Sequence, residues 1–377
     1  MATGKREYGW TAALAVLALL FSVLGSWIER DFGRVDVNTV VFMTTEMQPM
    51  VAKLYRPRSA SVERPAPGLL ALHGYQSDKE AANTFGAPEL ARRGYVVLAI
   101  DQFGHGYSTK APASNKSMSG ADNGYQYLKR LPFVDRQRLG IFGHSTGALN
   151  AVRVALQNPD HRAVNGQSSN GGMMAGLHNY LLTQGLYEEI GPYREKIFPV
   201  GDLVHHEKRL KAFGLPIGDT LVWNRTYGSF ADGTARRADL VAGTHLGVMV
   251  SAHTNQSAID WFGQAMNHPS GVEGFIYWYK EFCGLPALLF ALASSLCLAN
   301  ALLDKRYFSM ACQPAARAAP MRSATWWRFG LMNVVMTMVL YPLLTQWGGP
   351  MSRSRPGWPG CHWKWATASS RGCWAVV

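Results

Sequence analysis

Arg138-Leu139-Gly140-Ile141-Phe142-Gly143-His144-Ser145-Thr146-Gly147-Ala148-Leu149 is the stretch on which the rest of the chain turns. An apolar run leads into a Gly-x-Ser-x-Gly pentapeptide, and a helix-forming stretch continues through Asn150 to Leu156. The pattern predicts a buried strand, a tight turn with Ser145 at its apex, and then a helix. Gly143 and Gly147 fit because a side chain at either position would collide with the neighbouring strand or helix. The helix points its N-terminus, the positive end of its dipole, at the place where an oxyanion would form. Such a turn is common on its own, so its context has to support it.

Upstream, Val37–Phe42 and Met50–Tyr55 are expected to be opening strands, followed by a Pro/Ser/Arg loop from Arg56 to Pro67. Gly68–Leu72 is a short apolar strand that ends in His73-Gly74-Tyr75-Gln76. Asp78 to Arg92 has helical spacing, and Tyr95–Ile100 is a fully apolar strand ending in Asp101 to Ser108. Ser119 to Arg130 is the next helix. Downstream, Ala163–Gln167, Tyr180–Gly185 and Ala238–Ala242 are expected strands, and Asp202–Phe213 and Ser251–Met266 expected helices. Strands alternating with helices imply right-handed crossovers. The fold class is therefore α/β, a mainly parallel sheet flanked by helices.

Composition is that of a folded protein: 47% hydrophobic, 11% aromatic and 16% charged. The net charge of +12 comes from scattered basic residues, several beside apolar segments, with no interleaving of Lys/Arg and aromatics. That argues against nucleic acid and for charges that flank membrane segments. The five cysteines all lie from Cys283 onward, so the Ser145 region uses neither a thiol nucleophile nor a disulfide. No Cys/His cluster has metal-ligand spacing, and no metal or cofactor is expected.

Trp10 to Ile28 is a charge-free run of about the ~20 residues a spanning helix needs. A cleaved signal peptide is the rival reading, disfavoured by the run's length and by the lack of a small-x-small site after it. Cys283–Leu303 and Phe329–Trp347 are also long enough to span. The link between them carries Lys305, Arg306, Arg317, Arg322 and Arg328, which predicts a cytoplasmic loop. The domain before it then lies on the extracytoplasmic side, in agreement with Lys5 and Arg6 inside. The expected organisation is a membrane anchor (1–34), a catalytic domain (35–268), two C-terminal spans (275–348) and an irregular, tryptophan-rich tail (349–377).

Residues 35 to 268 resemble a serine-dependent α/β-hydrolase of the esterase/lipase kind. The His73-Gly74 turn, the Asp101–Gly106 loop, the Ser145 elbow and a His after the final strand occur in the family's order. The resemblance implies Ser145 as nucleophile and His245 as base, with His253 and His268 as rivals. It implies Glu188 as the acid, from a strand-Gly-x-x-acid segment, with Glu189, Asp202 and Asp219 as alternatives. The oxyanion hole would be the backbone N–H groups of Tyr75 and Thr146. His73, Asp101 and His105 read as turn-holding residues. The insertion from Gly191 to Thr234, with Tyr193, Phe198, Phe213, Trp223, Tyr227 and Phe230, either covers the pocket or packs onto the sheet. The expected function is membrane-anchored hydrolysis of a small-molecule carboxylic ester or other acyl substrate. An acyltransferase, a peptidase on the same residues, and a non-catalytic binding module are the alternatives.

Overall fold

The computed structural model describes residues 2–80, 86–111, 119–168, 176–190, 200–303, 305, 307–308 and 326–338. It divides into two units, Met1–Ala301 and Leu302–Val377. The first contains helix α1 (Ala2–Glu29) and then strands β1 (Val35–Met43), β2 (Pro49–Pro57) and β3 (Ala66–Leu72). Next come α2 (Gly86–Ala91), β4 (Val96–Ile100), α3 (Ala121–Arg130), β5 (Val134–His144) and α4 (Thr146–Gln157). β6 (Ala163–Gln167), β7 (Tyr180–Gly185), α5 (Glu207–Ala212), β8 (Thr226–Tyr227) and β9 (Arg236–Val241) follow. The unit closes with α6 (Gly247–Val250), α7 (Ala252–Ala265) and the long helix α8 (Tyr277–Leu303).

The sheet order is β1-β2-β4-β3-β5-β6-β7-β9-β8. β4, β3, β5, β6, β7 and β9 are parallel; β1, β2 and β8 add antiparallel edges. The central strands β3, β4, β6 and β7 are buried along their whole length. They have to be apolar on both faces because helices cover both. One layer packs Leu70, Leu72, Tyr125, Ile141, Ala151 and Leu182, and the opposite layer packs Leu69, Val97, Phe142, Trp261 and Phe262. The chain leaves β3 towards β4 on one side and returns to β5 on the other. The crevice beyond the C-terminal ends of β3 and β5 is therefore the switch point, where open α/β sheets bind ligands.

Element types agree with the sequence expectation, and several boundaries move. The helix expected from Asp78 is described only over Gly86–Ala91, with a turn at Asp78–Glu80. The helix expected over Asp202–Phe213 breaks into a 3-10 turn, Val200–His205, and α5. β5 starts at Val134, with a register shift against β3 at Pro67/Gly68. In the insertion, Phe213, Trp223 and Tyr227 pack on one core layer and Phe230 on Trp261 of the other, so these four hold the segment to the sheet. Tyr193 and Phe198 lie outside the described residues.

Arg6–Glu29 and Tyr277–Leu303 are long and apolar enough to cross a membrane, and most of their surface is exposed. They pack antiparallel. Glu29 lies near Lys280, Gly25 against Cys283 and Phe21 on Phe290, and the Ser294 hydroxyl donates to the Thr11 carbonyl. Glu29 also accepts from Lys53 and Tyr55 of β2. The fully buried Glu89 of α2 accepts the Ile276 and Tyr277 N–H groups at 2.6 and 3.0 Å and pairs with Arg93 at 2.6 Å. α8 up to Ala301 thus falls in the first unit. In the second unit, 326–338 is helical. The rest of the third expected span and the tail lie outside the described residues.

Candidate active site

Ser145 sits between β5 and α4 with φ 54° and ψ −118°. A non-glycine residue there costs of order 1–3 kcal/mol, and such strain persists only where the surroundings impose it. The glycines of the pentapeptide show how. A Cβ on Gly143 would lie 2.5 Å from the Gly147 carbonyl group, and one on Gly147 would overlap the Leu72 carbonyl oxygen. The Ser145 N–H is held by the Gln167 carbonyl at 2.9 Å, and the N–H groups of Ala148 and Leu149 return to the Ser145 carbonyl. Thr146 heads α4, so its N–H has no partner within the helix.

His245 follows β9 and is buried, at the same sheet end as Ser145. Its Nδ1 makes a short contact with Oε1 of the buried Glu188, which follows β7. Glu189 takes the other part of His245, accepting its backbone N–H at 2.8 Å. The adjacent carboxylates therefore divide the work: one holds the ring and one the main chain. On the far side, His144 Nε2 lies 2.7 Å from the His245 carbonyl, and the Ser168 hydroxyl donates to it at 3.4 Å. A carbonyl only accepts, so His144 carries its proton on Nε2. Burial, then repulsion from the nearby His245, pushes the His144 imidazole down to about 4. The two imidazole centroids are 4.6 Å apart. The Ser145 hydroxyl makes no hydrogen bond with another described residue. Catalytic hydrogen bonds often tighten only when substrate binds.

The turn after β3 completes the surround. A Cβ on Gly74 would be 3.4 Å from Ser145 Cβ, which brings the start of the Tyr75 segment beside the nucleophile. His73 Nδ1 donates to the Gly74 carbonyl at 2.7 Å, and Nε2 accepts the Gln102 N–H at 2.9 Å. Burial holds this ring neutral, down to about 4. Gln102 ties the turn onward, donating to the His73 carbonyl and accepting from Asn150 of α4. Asp101 is fully buried and accepts from Lys79 N–H and Nζ and from Tyr107 N–H, so it fixes the loops after β3 and β4 together. His105 Nδ1 donates to the Phe103 carbonyl, 3.0 Å away, in the same loop.

The alternatives lie elsewhere. His253 and the carboxylates Asp202 and Asp219 are exposed. His268 contacts the Arg93 carbonyl and Tyr95, ahead of β4 at the opposite end of the sheet. Sequence reasoning did not single out Lys79, Gln102 or Asn150. Nor did it foresee the grip of His144 and Glu189 on the main chain of His245. His144 was inside the quoted motif, but nothing in its spacing says which atom it bonds. Among the described residues no group of three His, Cys, Asp or Glu is placed to hold a metal ion.

A family model described as serine aminopeptidase, S33, matches residues 63–199, from the lead into β3 across the elbow and past the acidic pair. This chain carries an α/β-hydrolase fold. A serine hydrolase-like protein of Dictyostelium discoideum is 36% identical over 112 residues, 29% of this chain and 29% of that protein. The chain thus aligns with under a third of that relative's length. Among solved α/β-hydrolase structures, the Pyrococcus furiosus esterase Pf2001 aligns with 15% identity and TM-score 0.44, covering 63% of this chain and 94% of its own. Acetyl xylan esterase 1 from Thermoanaerobacterium aligns with 14% identity and TM-score 0.42, covering 62% and 84%.

Proposed function

We propose that this α/β-hydrolase is a membrane-anchored serine hydrolase that cleaves carboxylic esters through Ser145, His245 and Glu188. The observation that carries the reading is the contact of His245 Nδ1 with the buried Glu188, at the sheet end where Ser145 is held at positive φ. Glu188 accepts the Nδ1–H, which leaves Nε2 unprotonated and able to take the Ser145 proton. Oγ then attacks the ester carbonyl, and the C=O π pair moves onto oxygen. The backbone N–H groups of Thr146 and Tyr75 receive that oxyanion, each worth roughly 3 kcal/mol in the transition state. The Nε2 proton passes to the leaving alkoxide as the C–O bond breaks, giving the acyl-serine and free alcohol. Water repeats the sequence in reverse roles, losing its proton to Nε2 and releasing the carboxylic acid. Glu189 and His144 take no proton; they hold His245 by its main chain.

Anchoring is supported by the antiparallel pairing of α1 and α8, which returns the chain to the side from which it came. Lys5 and Arg6 before the first span, and the basic link after Leu303, favour an extracytoplasmic catalytic domain. The family model's description favours a second reading, an aminopeptidase acting with the same three residues.

Labelling of the full chain with a fluorophosphonate probe tests the serine. Wild type is expected to label and Ser145→Ala not to; an unlabelled, folded wild type favours the non-catalytic binding module. Hydrolysis of 4-methylumbelliferyl esters over amino-acid p-nitroanilides supports the esterase, and the opposite preference the aminopeptidase.

A further inference from the structure

We infer, resting on the membrane-anchored hydrolase reading, that the substrate is an ester-bearing lipid drawn sideways from the bilayer that holds α1 and α8. The route is the cavity where those helices meet the loop after β3. That cavity measures about 670 Å³. It is open to the outside: Phe21 and Ala287 line it along the helices, and Glu29, Lys280, Glu281, Asp78 and Glu80 line its domain end. Charged groups above apolar ones are the division an amphiphile needs.

The direction of the helices puts this cavity on the active-site side. Glu29, at the end of α1, bonds Tyr55 and Lys53 on β2. Lys53 also bonds Glu80, beyond the C-terminal end of β3. Asp31, just after α1, pairs with Arg92 ahead of β4, whereas Glu29 pairs with Lys53, which is in register with Ala99 near the end of β4. From Glu29 back to Phe21 the helix runs on for about 12 Å, at ~1.5 Å per residue. α1 therefore leaves the sheet past its C-terminal edge, where Ser145 and His245 lie.

One loop joins the cavity to the nucleophile: it carries Asp78 and Glu80 on the cavity wall and begins at Gly74, which abuts Ser145. This loop packs on the one after β4: Lys79 Nζ lies 4.7 Å from the Tyr107 ring centroid, and Tyr75 is edge-on to His105. From the other direction, the Tyr277 hydroxyl at the base of α8 donates to the Val250 carbonyl, five residues after His245.

The surface around the site fits the same partner. Tyr75, Tyr107, Leu186, Tyr187 and Leu246 stand on the loops after β3, β4, β7 and β9, and all are exposed, Tyr107 by 82%. Three tyrosines, apolar bodies with polar tips, and two leucines suit a rim pressed to a headgroup layer. Trp27, Trp278 and Tyr279 are exposed at the domain end of the two helices, the position of an interfacial aromatic belt. The belt sets the bilayer surface at the level of the cavity. Phe21 and Ala287 lie deeper, where acyl chains begin.

The test uses the full chain in phospholipid nanodiscs. A fluorogenic dioleoyl lipid ester, held in its disc by two chains, is placed in the enzyme's own discs or in enzyme-free discs. 4-Methylumbelliferyl acetate, dissolved in water, is the control. Expected are acetate turnover in both mixtures and lipid turnover at least ten-fold faster in the enzyme's own discs. Equal lipid rates in the two mixtures, or acetate turnover with no lipid turnover, overturn the inference and leave the hydrolase reading standing. No acetate turnover and no fluorophosphonate labelling of Ser145 overturn both. Ala287→Trp, which fills the cavity, is expected to lower the same-disc lipid rate at least ten-fold. An unchanged rate removes the cavity as the route. If that variant does not fold, the wild-type comparison still decides.

Discussion

Replacing Glu188 by glutamine keeps the shape of the side chain and removes its charge. In the attack step His245 becomes an imidazolium, and the buried Glu188 carboxylate in contact with Nδ1 is its counter-charge. With the two charge centres about 4 Å apart and an effective dielectric of about 20, the attraction is worth about 4 kcal/mol. Each 1.36 kcal/mol is a factor of ten in rate, so about a thousand-fold is lost. An amide that turns its NH₂ toward the ring also selects the wrong tautomer, which brings the loss to about 10³–10⁴. Glu189→Gln is the matched control. Its amide oxygen still accepts the His245 N–H, and weakening one hydrogen bond by ~1 kcal/mol costs less than about ten-fold. The assay is kcat and KM for a 4-methylumbelliferyl ester with the full chain in nanodiscs, with the near-UV circular dichroism of each variant reporting correct folding. The charge argument predicts that kcat falls for Glu188→Gln while KM changes little. Glu188→Gln within ten-fold of wild type, or Glu189→Gln falling as far, would refute it.

Gly147→Ala is expected to destabilise by about 3 kcal/mol or more, because its Cβ meets the rigid Leu72 and His73 carbonyls. Gly263→Ala on α7, with only one ordinary contact at 3.5 Å, should stabilise by up to about 1 kcal/mol; urea midpoints of the two variants check this. Acid should weaken the fold through His73 and His144. Both stay neutral in the folded chain down to about 4, while the unfolded chain takes up these protons near 6.5, so stability is full above 6.5 and falls towards pH 4. The ceiling is ~3 kcal/mol for each. A urea midpoint that stays flat from pH 7 to 4.5 would count against neutral, buried rings at these positions.

Much of this fold announces itself locally. Five-to-seven-residue apolar runs such as Val96–Ile100 can be little else than central strands, because both faces must be covered. The elbow is legible because Gly143 and Gly147 are demanded by contacts only a few residues or one strand away. Chain order alone suggests Glu188 and His245, two residues that the fold brings into contact. What was not legible depends on pairings across the chain. Nothing in the sequence near Glu189 says that it will bond a main-chain N–H 56 residues later. The Asp78–Arg92 stretch has helical spacing, yet Lys79 is taken from any helix by its ion pair with the buried Asp101. Glu89 looks like one more charge in a surface helix; its burial follows from Arg93 and from the arrival of α8, nearly two hundred residues on.

That carboxylate limits how the enzyme can be cut down for work in solution. A soluble fragment stopped at the end of α7 would strip two amide donors from a charge that has no access to water, and one started after Glu29 would take away the acceptor that Tyr55 and Lys53 share. Fragments running from about Glu29 to just past Tyr277 keep both sets of bonds. They should survive purification where shorter ones precipitate.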